Sequence, residues 1–372
     1  MSFFRANDGT QLYFEDAGEG LPVLCLAGLT RNSRDFDFVA PHLTGVRLIR
    51  MDYRGRGLSD NANPLSYSVM QEGADALALL DHLGIAKAAV LGTSRGGLIA
   101  MTLAALSKNR LLGAALNDVG PVLEPAFLTQ LADFIGVVPN APDLESLARG
   151  TAAWFASEFA DVSLDRWRQH VINTHRFEDG KPCLAYDGPG LREAVLATEN
   201  GSMPDLWPLF SELALLPTAM IHGVNSTLVS AETVREMERR RPDLIVARVP
   251  GRGHVPFLDE PEALDALQRG KVNGGVLQNR VRRLRVVDHR KVGRVPRDRR
   301  AAQALQNAKL NLMRAQSVEP VKALCKAVQR FTGQAKNQVR MHMRLALRHQ
   351  PAQVVGGLGV VLLARNALLH LG

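Results

Sequence analysis

Cysteine is scarce in this chain of 372 residues, which contains only Cys25, Cys183 and Cys325. The number is odd, the three are far apart, and no two form a CxxC pair. This pattern argues against a disulfide framework and against a zinc site. It fits a reducing compartment, and the N-terminal stretch turns polar after four residues. We therefore expect a cytoplasmic protein without a signal peptide.

Long apolar runs are missing as well. The stretch VVGGLGVVLLA at 354–364 is apolar for eleven residues before Arg365 interrupts it. A membrane-spanning helix needs about 18 or more such residues, so the sequence predicts no membrane span. No internal repeat is present, and the length allows one large domain or two smaller ones.

Acidic residues are scarce at one end of the chain. Of the 45 Lys and Arg and the 37 Asp and Glu, residues 271–372 hold 21 and 3. The sequence pI of about 9.7 therefore reflects this tail, whereas residues 1–270 are acidic overall. The tail is Arg-dense and is predicted to be disordered or loosely helical.

Three interpretations of the tail remain open. Its charge could bind nucleic acid or an anionic membrane, it could contact the acidic surface of residues 1–270, or it could have no evolved role. Apart from histidines, its only aromatic residue is Phe331. Recognition of specific nucleic-acid bases is therefore not expected. The last interpretation, in which the tail is read-through in a shifted frame, is the one we favour.

Short apolar runs alternate with helix-like segments over the first 120 residues. Helices are predicted near 67–83 and 95–107, and the alternation resumes after residue 215 with a helix near 231–240. This order is typical of a parallel sheet with crossover helices, and unbroken apolar strands suit a sheet covered on both faces. The predicted strands are 21–28, 46–52, 87–94, 111–118, 216–223 and 244–251.

Residues 121–215 break the alternation, because they read as helical segments punctuated by proline. A helical insertion between strands of one sheet is the simplest account. The predicted fold class is therefore α/β, with a core formed by residues 1–120 and 216–270. Residues 121–215 would form a helical cap over the C-terminal edge of the sheet, where open α/β sheets bind ligands.

The strongest motif is VLGTSRGG at 90–97, where a strand leads through a GxSxG pattern into a helix. A serine on such a tight turn adopts a strained backbone conformation, and the residues two before and two after it must be small. The turn lifts the hydroxyl above the sheet at a helix N-terminus. Ser94 is therefore the candidate nucleophile. A glycine-rich turn with a surface serine is the alternative.

A hydroxyl nucleophile needs a base, and GRGHVPFLDEP at 251–261 offers His254. This histidine lies in a loop just after the last predicted strand. Loops at the C-terminal ends of parallel strands are where such sheets assemble their sites. We interpret His254 as the base, although a histidine that only stabilises the loop would show the same pattern.

Together these residues resemble the α/β-hydrolase superfamily over about residues 5–270, and in particular its capped esterases, lactonases and carbon–carbon-bond hydrolases. CLAGLTRNSRDF at 25–36 is similar to the oxyanion loop of that family, and DYRGRGLS at 52–59 is similar to its DxRGxGxS turn. The resemblance implies that the backbone N–H groups of Leu29 and Arg95 bind the oxyanion. Ala27 departs from the family pattern, in which a histidine often precedes the glycine.

The resemblance also implies an acid that orients the histidine, and here the sequence departs from the pattern. The family's acid slot falls in HGVNSTLVS at 222–230, where Thr227 stands. Asp118, at the end of another predicted strand, is the alternative acid, as in certain haloalkane dehalogenases. A structural role for Asp118 is equally open, and Asp259 is more simply explained as a helix cap.

The predicted function is a serine hydrolase that cleaves a small ester, a lactone or a related carbonyl compound. A ligand-binding member of the fold that is non-catalytic or turns over once is the alternative, which Thr227 favours. The sequence predicts no metal and no organic cofactor, and a small-molecule substrate is the expected partner. Aromatic residues of the predicted cap are candidate walls of an apolar pocket; these are Trp154, Phe155, Phe159, Trp207 and Phe210.

Overall fold

The computed structural model of the chain describes residues 1–197 and 205–270. The predicted tail, 271–372, lies outside these residues. In the described part the strands are β1 (Ser2–Arg5), β2 (Gln11–Ala17), β3 (Leu21–Leu26), β4 (Val46–Met51), β5 (Ala88–Thr93), β6 (Leu111–Asn117), β7 (His175–Glu178), β8 (Lys181–Leu184), β9 (Thr218–Gly223) and β10 (Ile245–Val249).

Helices connect and cover these strands. They are α1 (Val69–His82), α2 (Arg95–Ser107), α3 (Pro125–Phe134), α4 (Leu144–Trp154), α5 (Leu164–Thr174), α6 (Gly188–Leu196), α7 (Trp207–Glu212) and α8 (Ala231–Arg240). Residues 261–270 are also helical, and short 3-10 turns include Ser33–Phe36. No helix in the described part of the chain is long and apolar enough to cross a membrane.

Eight of the strands form one sheet in the order β1-β2-β4-β3-β5-β6-β9-β10. The pairs β1–β2 and β2–β4 are antiparallel, and all others in this sheet are parallel. The prediction of a mostly parallel α/β sheet with helices on both faces is confirmed. The antiparallel strands β1 and β2 at its edge were not predicted.

Both faces of the sheet are buried, which explains why the strand sequences are continuous apolar runs. On β3, Leu24 and Leu26 join the larger core cluster beneath α1 and α2, whereas Cys25 between them joins the cluster on the opposite face. Side chains of successive strand residues point to opposite faces, so each face of this strand receives its own apolar set.

Residues 121–215, predicted as a helical cap, contain α3 to α7 and an antiparallel hairpin of β7 and β8 that was not predicted. Helices α4 and α5 pack together around Trp167 and Phe159, and Phe257 from the loop after β10 joins them. Helix α7 differs, because Phe210 is buried in the core cluster under α2. The far end of the predicted segment therefore packs with the sheet.

Candidate active site

Ser94 occupies the turn between β5 and α2, with φ 50° and ψ −112°. This left-handed conformation is unusual for a residue with a side chain and marks local strain. The neighbouring glycines make the turn possible. A Cβ built on Gly96 would lie 1.9 Å from the carbonyl oxygen of Leu26, and one on Gly92 would lie 2.4 Å from that of Gly96. Only glycine fits at both positions.

His254 follows β10, and its ring lies between Ser94 and Asp118. Its Nε2 is 3.0 Å from Oγ of Ser94, and its Nδ1 is 2.8 Å from Oδ2 of Asp118. A carboxylate can only accept, so Nδ1 carries the proton and Nε2 is left to accept from the serine hydroxyl. Phe127 from α3 packs edge-on against the ring, with ring centroids 4.8 Å apart. The imidazole is thus held in one orientation.

Asp118 lies directly after β6, with φ 52°, and is fully buried. Its Oδ1 accepts hydrogen bonds from Nδ1 of His222 at 3.2 Å and from the backbone N–H of Gly223 at 3.0 Å. Its Oδ2 accepts from Ser226 at 2.6 Å as well as from His254. Every lone-pair direction of the carboxylate therefore has a donor.

These donors decide the charge state of Asp118. Burial alone would raise its pKa, but the hydrogen bonds from His222, His254 and Ser226 outweigh burial and lower the pKa below its ordinary value of 3.8. A carboxylate that accepts several hydrogen bonds is stabilised in its ionised form. Asp118 is therefore an anion beside the imidazole at neutral pH.

The structure separates the three acidic or hydroxyl candidates that the sequence left open. Thr227, in the family's acid slot, has an exposed side chain at the surface of the β9–α8 loop. Asp259 pairs with Arg166 through contacts of 2.9 and 2.6 Å. Of the three, Asp118 is the one that contacts His254. Ser226, next to Thr227, contributes through its hydroxyl to Asp118, a contact that the sequence analysis missed.

The backbone N–H groups of Leu29 and Arg95, the predicted oxyanion donors, are oriented by the hydrogen bonds that the preceding carbonyls accept. The carbonyl of Gly28 accepts from the N–H of Arg31 at 3.1 Å, and the carbonyl of Ser94 accepts from Gly97 at 2.8 Å. In a trans peptide the N–H points opposite to the carbonyl. Because the two carbonyls point into their local turns, the N–H groups of Leu29 and Arg95 point away from those turns. Within residues 1–197 and 205–270 neither N–H has an acceptor. Both can donate to a ligand.

The side chain of Arg95 points elsewhere. Its Nε donates to Glu72 at 2.5 Å and its Nη2 donates to the carbonyl of Tyr67 at 2.9 Å. Glu72 is fully buried and also pairs with Arg56 at 3.1 Å. The guanidinium of Arg95 therefore holds α1 against α2, and the backbone N–H is the part of this residue that remains a candidate for the site.

A cavity lies beside His254 and is walled mainly by aromatic rings. The space that the centre of a water molecule can occupy is about 20 Å³, so the cavity admits a small group. Its aromatic walls are Phe38, Phe155, Phe159, Trp167 and Phe257, and its polar side chains include Arg31, Asp35, Thr93, Asn117, His170 and His254.

The predicted pocket residues divide between this cavity and other places. Phe155 and Phe159 line it, whereas Trp154 is 66% exposed and packs on Phe134. Trp207 packs on Phe210 and beneath the guanidinium of Arg240, so it belongs to the sheet side of the molecule. Neither Trp154 nor Trp207 lines the cavity, because α4 directs the first outward and α7 packs under α2.

Apart from His254, sequence reasoning missed the polar residues of the cavity, and it missed the second imidazole on Asp118. A charged residue two positions after the predicted oxyanion donor was a usable signal for Arg31. A histidine at the end of an otherwise apolar buried strand was a signal for His222, since buried polar side chains need a partner. No feature of the sequence indicated that Trp167 would line the cavity.

Comparison with known proteins places these features in a family. A family model described as alpha/beta hydrolase fold matches residues 22–261. The chain is 31% identical over 252 residues to 3-hydroxybutyrate-oligomer hydrolase of Cupriavidus necator, which covers 64% of this chain and 84% of that protein. It is 28% identical over 258 residues to 2-(acetamidomethylene)succinate hydrolase of Mesorhizobium japonicum, covering 68% and 87%.

A solved structure agrees with these matches. An alpha/beta hydrolase from Novosphingobium aromaticivorans superposes with a TM-score of 0.68 at 35% identity. The alignment covers 72% of this chain and 96% of that one. The residues that the family model matches, 22–261, include Ser94, Asp118 and His254.

Proposed function

Because this chain belongs to the alpha/beta hydrolase family, we propose that it is a serine hydrolase that cleaves a small carboxylic ester, a lactone or a related carbonyl compound. The relatives support a hydrolytic function at the level of the family. The observation that carries the finer proposal is the unbroken chain of hydrogen bonds from Ser94 through His254 to Asp118, at 3.0 and 2.8 Å.

The first step follows from the hydrogen-bond directions. Oγ of Ser94 attacks the carbonyl carbon of the substrate while its proton moves to Nε2 of His254. The new C–O bond displaces the carbonyl π electrons onto oxygen. The resulting oxyanion accepts hydrogen bonds from the N–H groups of Leu29 and Arg95, which have no acceptor of their own in the described residues.

The second step reverses the proton transfer. When the carbonyl re-forms, the bond to the leaving alcohol breaks, and the alcohol oxygen takes the proton from Nε2 of His254. Water then attacks the acyl-serine ester while Nε2 of His254 takes one of its protons. The bond between the acyl carbon and Oγ breaks, and Oγ of Ser94 takes the proton back from Nε2, which releases the acid. Asp118 stays ionised throughout and stabilises the imidazolium that forms twice in each cycle.

The ligand-binding alternative rested on Thr227 in the acid slot. The contacts of Asp118 with His254 remove that reason, since an ionised carboxylate already occupies the position that the imidazole needs. Hydrolysis is therefore the function that the geometry supports best. The two curated relatives, named for a 3-hydroxybutyrate oligomer and for a substituted succinate, are consistent with a small acyl substrate.

Labelling by a fluorophosphonate tests the nucleophile. Ser94 of the full-length protein should react within minutes and appear as a single modified peptide by mass spectrometry. A Ser94→Ala variant should lose the label and lower kcat on short 4-nitrophenyl esters by about 10⁶-fold. A Ser146→Ala variant, in the first turn of α4 and away from the cavity, is the matched control and should label like the parent.

The proposal fails if Ser94→Ala retains the label or the esterase activity, because the nucleophile would then be another residue. It also fails if the folded parent protein neither labels nor hydrolyses any ester of the panel. Circular dichroism of each variant separates loss of the fold from loss of the nucleophile.

A further inference from the structure

One cation faces the aromatic cavity beside the proposed nucleophile. Arg31 lines this cavity, and its side chain is 23% exposed. A Cβ built on Gly28 would lie 3.1 Å from Cγ of Arg31 and 4.0 Å from Cβ of Ser94. Gly28 therefore has the start of the Arg31 side chain and Ser94 as neighbours, and Arg31 lies on the same loop as the Leu29 N–H.

The guanidinium of Arg31 has few partners. Its Nη1 lies 3.2 Å from Nε2 of His170 and 3.5 Å from Oδ1 of Asp35. Its Nε and Nη2 have no hydrogen-bond acceptor among residues 1–197 and 205–270. By contrast Arg166, at the other side of Phe257, makes a two-point contact with Asp259 at 2.9 and 2.6 Å. The Nε and Nη2 donors of Arg31 can therefore bind a ligand.

The neighbours of Arg31 leave its charge largely uncompensated. Nε2 of His170 must accept from the guanidinium, which can only donate, so this imidazole is neutral. Burial first, and then the charge of Arg31, lower the pKa of His170 well below 6.5. Among the described residues, Asp35 is the one carboxylate that forms an ion pair with Arg31, and this contact is longer than the normal charge-assisted hydrogen bond of about 2.7–2.9 Å.

We propose that Arg31 is the carboxylate-binding residue of the substrate cavity, and that the protein therefore prefers esters that carry a free carboxylate close to the scissile carbonyl. This inference rests on the proposed function, since it names the substrate class of the same site. The Nε–Nη2 edge of a guanidinium matches the two oxygens of a carboxylate, and the cavity that Arg31 lines is walled mainly by aromatic rings.

Asp35 has a definite part in this arrangement. It shares the cavity with Arg31 and would repel an incoming carboxylate, so it sets the affinity of the subsite. Removing the cation and removing this anion must then have opposite effects on a charged ester. If Arg31 and Asp35 formed only a structural ion pair, either substitution would destabilise the protein, and neither would change the preference between a charged and a neutral substrate.

A pair of isosteric substrates tests the proposal in the full-length enzyme. The two are 4-nitrophenyl butyrate and mono-4-nitrophenyl succinate, in which a terminal methyl is replaced by a carboxylate. The ratio of kcat/KM for the succinate to that for the butyrate should fall roughly 10- to 100-fold in Arg31→Gln. The same ratio should rise in Asp35→Asn, because KM for the succinate should fall. Arg31→Lys should give an intermediate ratio.

Arg34→Gln is the matched control, because it removes the same charge from the adjoining 3-10 turn, three residues further along the chain, but does not line the cavity. Its substrate ratio should equal that of the parent. A second readout needs no turnover: monomethyl succinate should bind the Ser94→Ala protein by calorimetry, and the affinity should drop at least tenfold when Arg31→Gln is added.

The outcomes separate this inference from the proposed function. If Arg31→Gln changes both esters equally and monomethyl succinate binding is unaltered, the subsite is wrong while ester hydrolysis by Ser94 stands. If Ser94→Ala still hydrolyses both esters, the proposed function itself fails. Thermal unfolding of each variant shows whether it is folded. If Arg31→Gln does not fold, Arg31→Lys provides the same comparison.

Discussion

At the scale of single residues, Asp118 is the most constrained side chain of the site. It is fully buried, has a positive φ, and accepts four hydrogen bonds from three different loops and strands. A buried anion is stable only when its hydrogen bonds are complete, and loss of one partner exposes the full desolvation cost. The position of this carboxylate after β6, one strand before the family's usual slot, is therefore compensated by His222 and Ser226 at its new place.

The first prediction concerns this carboxylate. Asp118→Asn should lower kcat for a short 4-nitrophenyl ester by about 10⁴-fold, because an amide no longer fixes the tautomer of His254 or stabilises its cation. Thr227→Ala is the matched control and should stay within twofold of the parent, since Thr227 is exposed. Steady-state kinetics on both variants measures the effect. Equal losses in the two variants, or a larger loss in Thr227→Ala, would contradict the assignment.

At the scale of secondary-structure elements, the turn from β5 into α2 shows how packing dictates sequence. The turn brings the start of α2 so close to β3 that the main chain of Gly96 nearly touches the carbonyl of Leu26. This contact places the helix N-terminus under Ser94, where its free N–H groups favour developing negative charge. The glycines of the motif are thus required by backbone contact, which a side chain could relieve only by moving the helix.

A pair of glycine substitutions tests this requirement. Gly96→Ala places a methyl group 1.9 Å from a backbone oxygen and should destabilise the protein by about 3 kcal/mol or more. Gly150→Ala, in the middle of α4, meets nothing within 4 Å and should stabilise it by about 0.5–1 kcal/mol. Urea unfolding monitored by circular dichroism measures both. A Gly96→Ala protein as stable and active as the parent would show that the turn can relax.

At the scale of the whole molecule, burial of neutral imidazoles makes stability depend on pH. Burial first, and then the nearby charge of Arg31, lower the pKa of His175 from 6.5 to about 4. His170 on the preceding helix is shifted in the same direction. Between pH 4 and 6.5 the unfolded chain binds protons that the folded chain does not, so stability is complete above about pH 6.5 and falls as the pH drops towards 4.

Acid unfolding tests this linkage. His175→Gln should remove at most about 3 kcal/mol of the loss in unfolding free energy between about pH 7 and pH 4.5. The exposed His42 provides the control, and His42→Gln should follow the parent at both pH values. Urea unfolding at the two pH values gives the free energies. A His175→Gln protein with the same pH dependence as the parent would show that this imidazole is not the titrating group.

Much of the sheet could be predicted because its strands are continuous apolar runs bounded by turn residues. The predicted strand at 46–52 is observed as Val46–Met51, and the predicted helix at 231–240 is observed as Ala231–Arg240. The edge strands β1 and β2 escaped prediction because neither is a continuous apolar run: β1 has only four residues, mostly exposed, and β2 follows three buried residues with polar and exposed ones. The hairpin of β7 and β8 was not predicted because its strands are short and half-exposed.

The sequence by itself determined the family, the nucleophile turn and the identity of the candidate base, because each depends on local backbone rules. A glycine-flanked serine between a strand and a helix has few alternatives. Only the tertiary structure shows that Asp118, and not Thr227, contacts His254, and only it brings Arg31 and His170 together from positions 139 residues apart. Distances across the ends of parallel strands follow from the order of strands in the sheet, which no local pattern encodes.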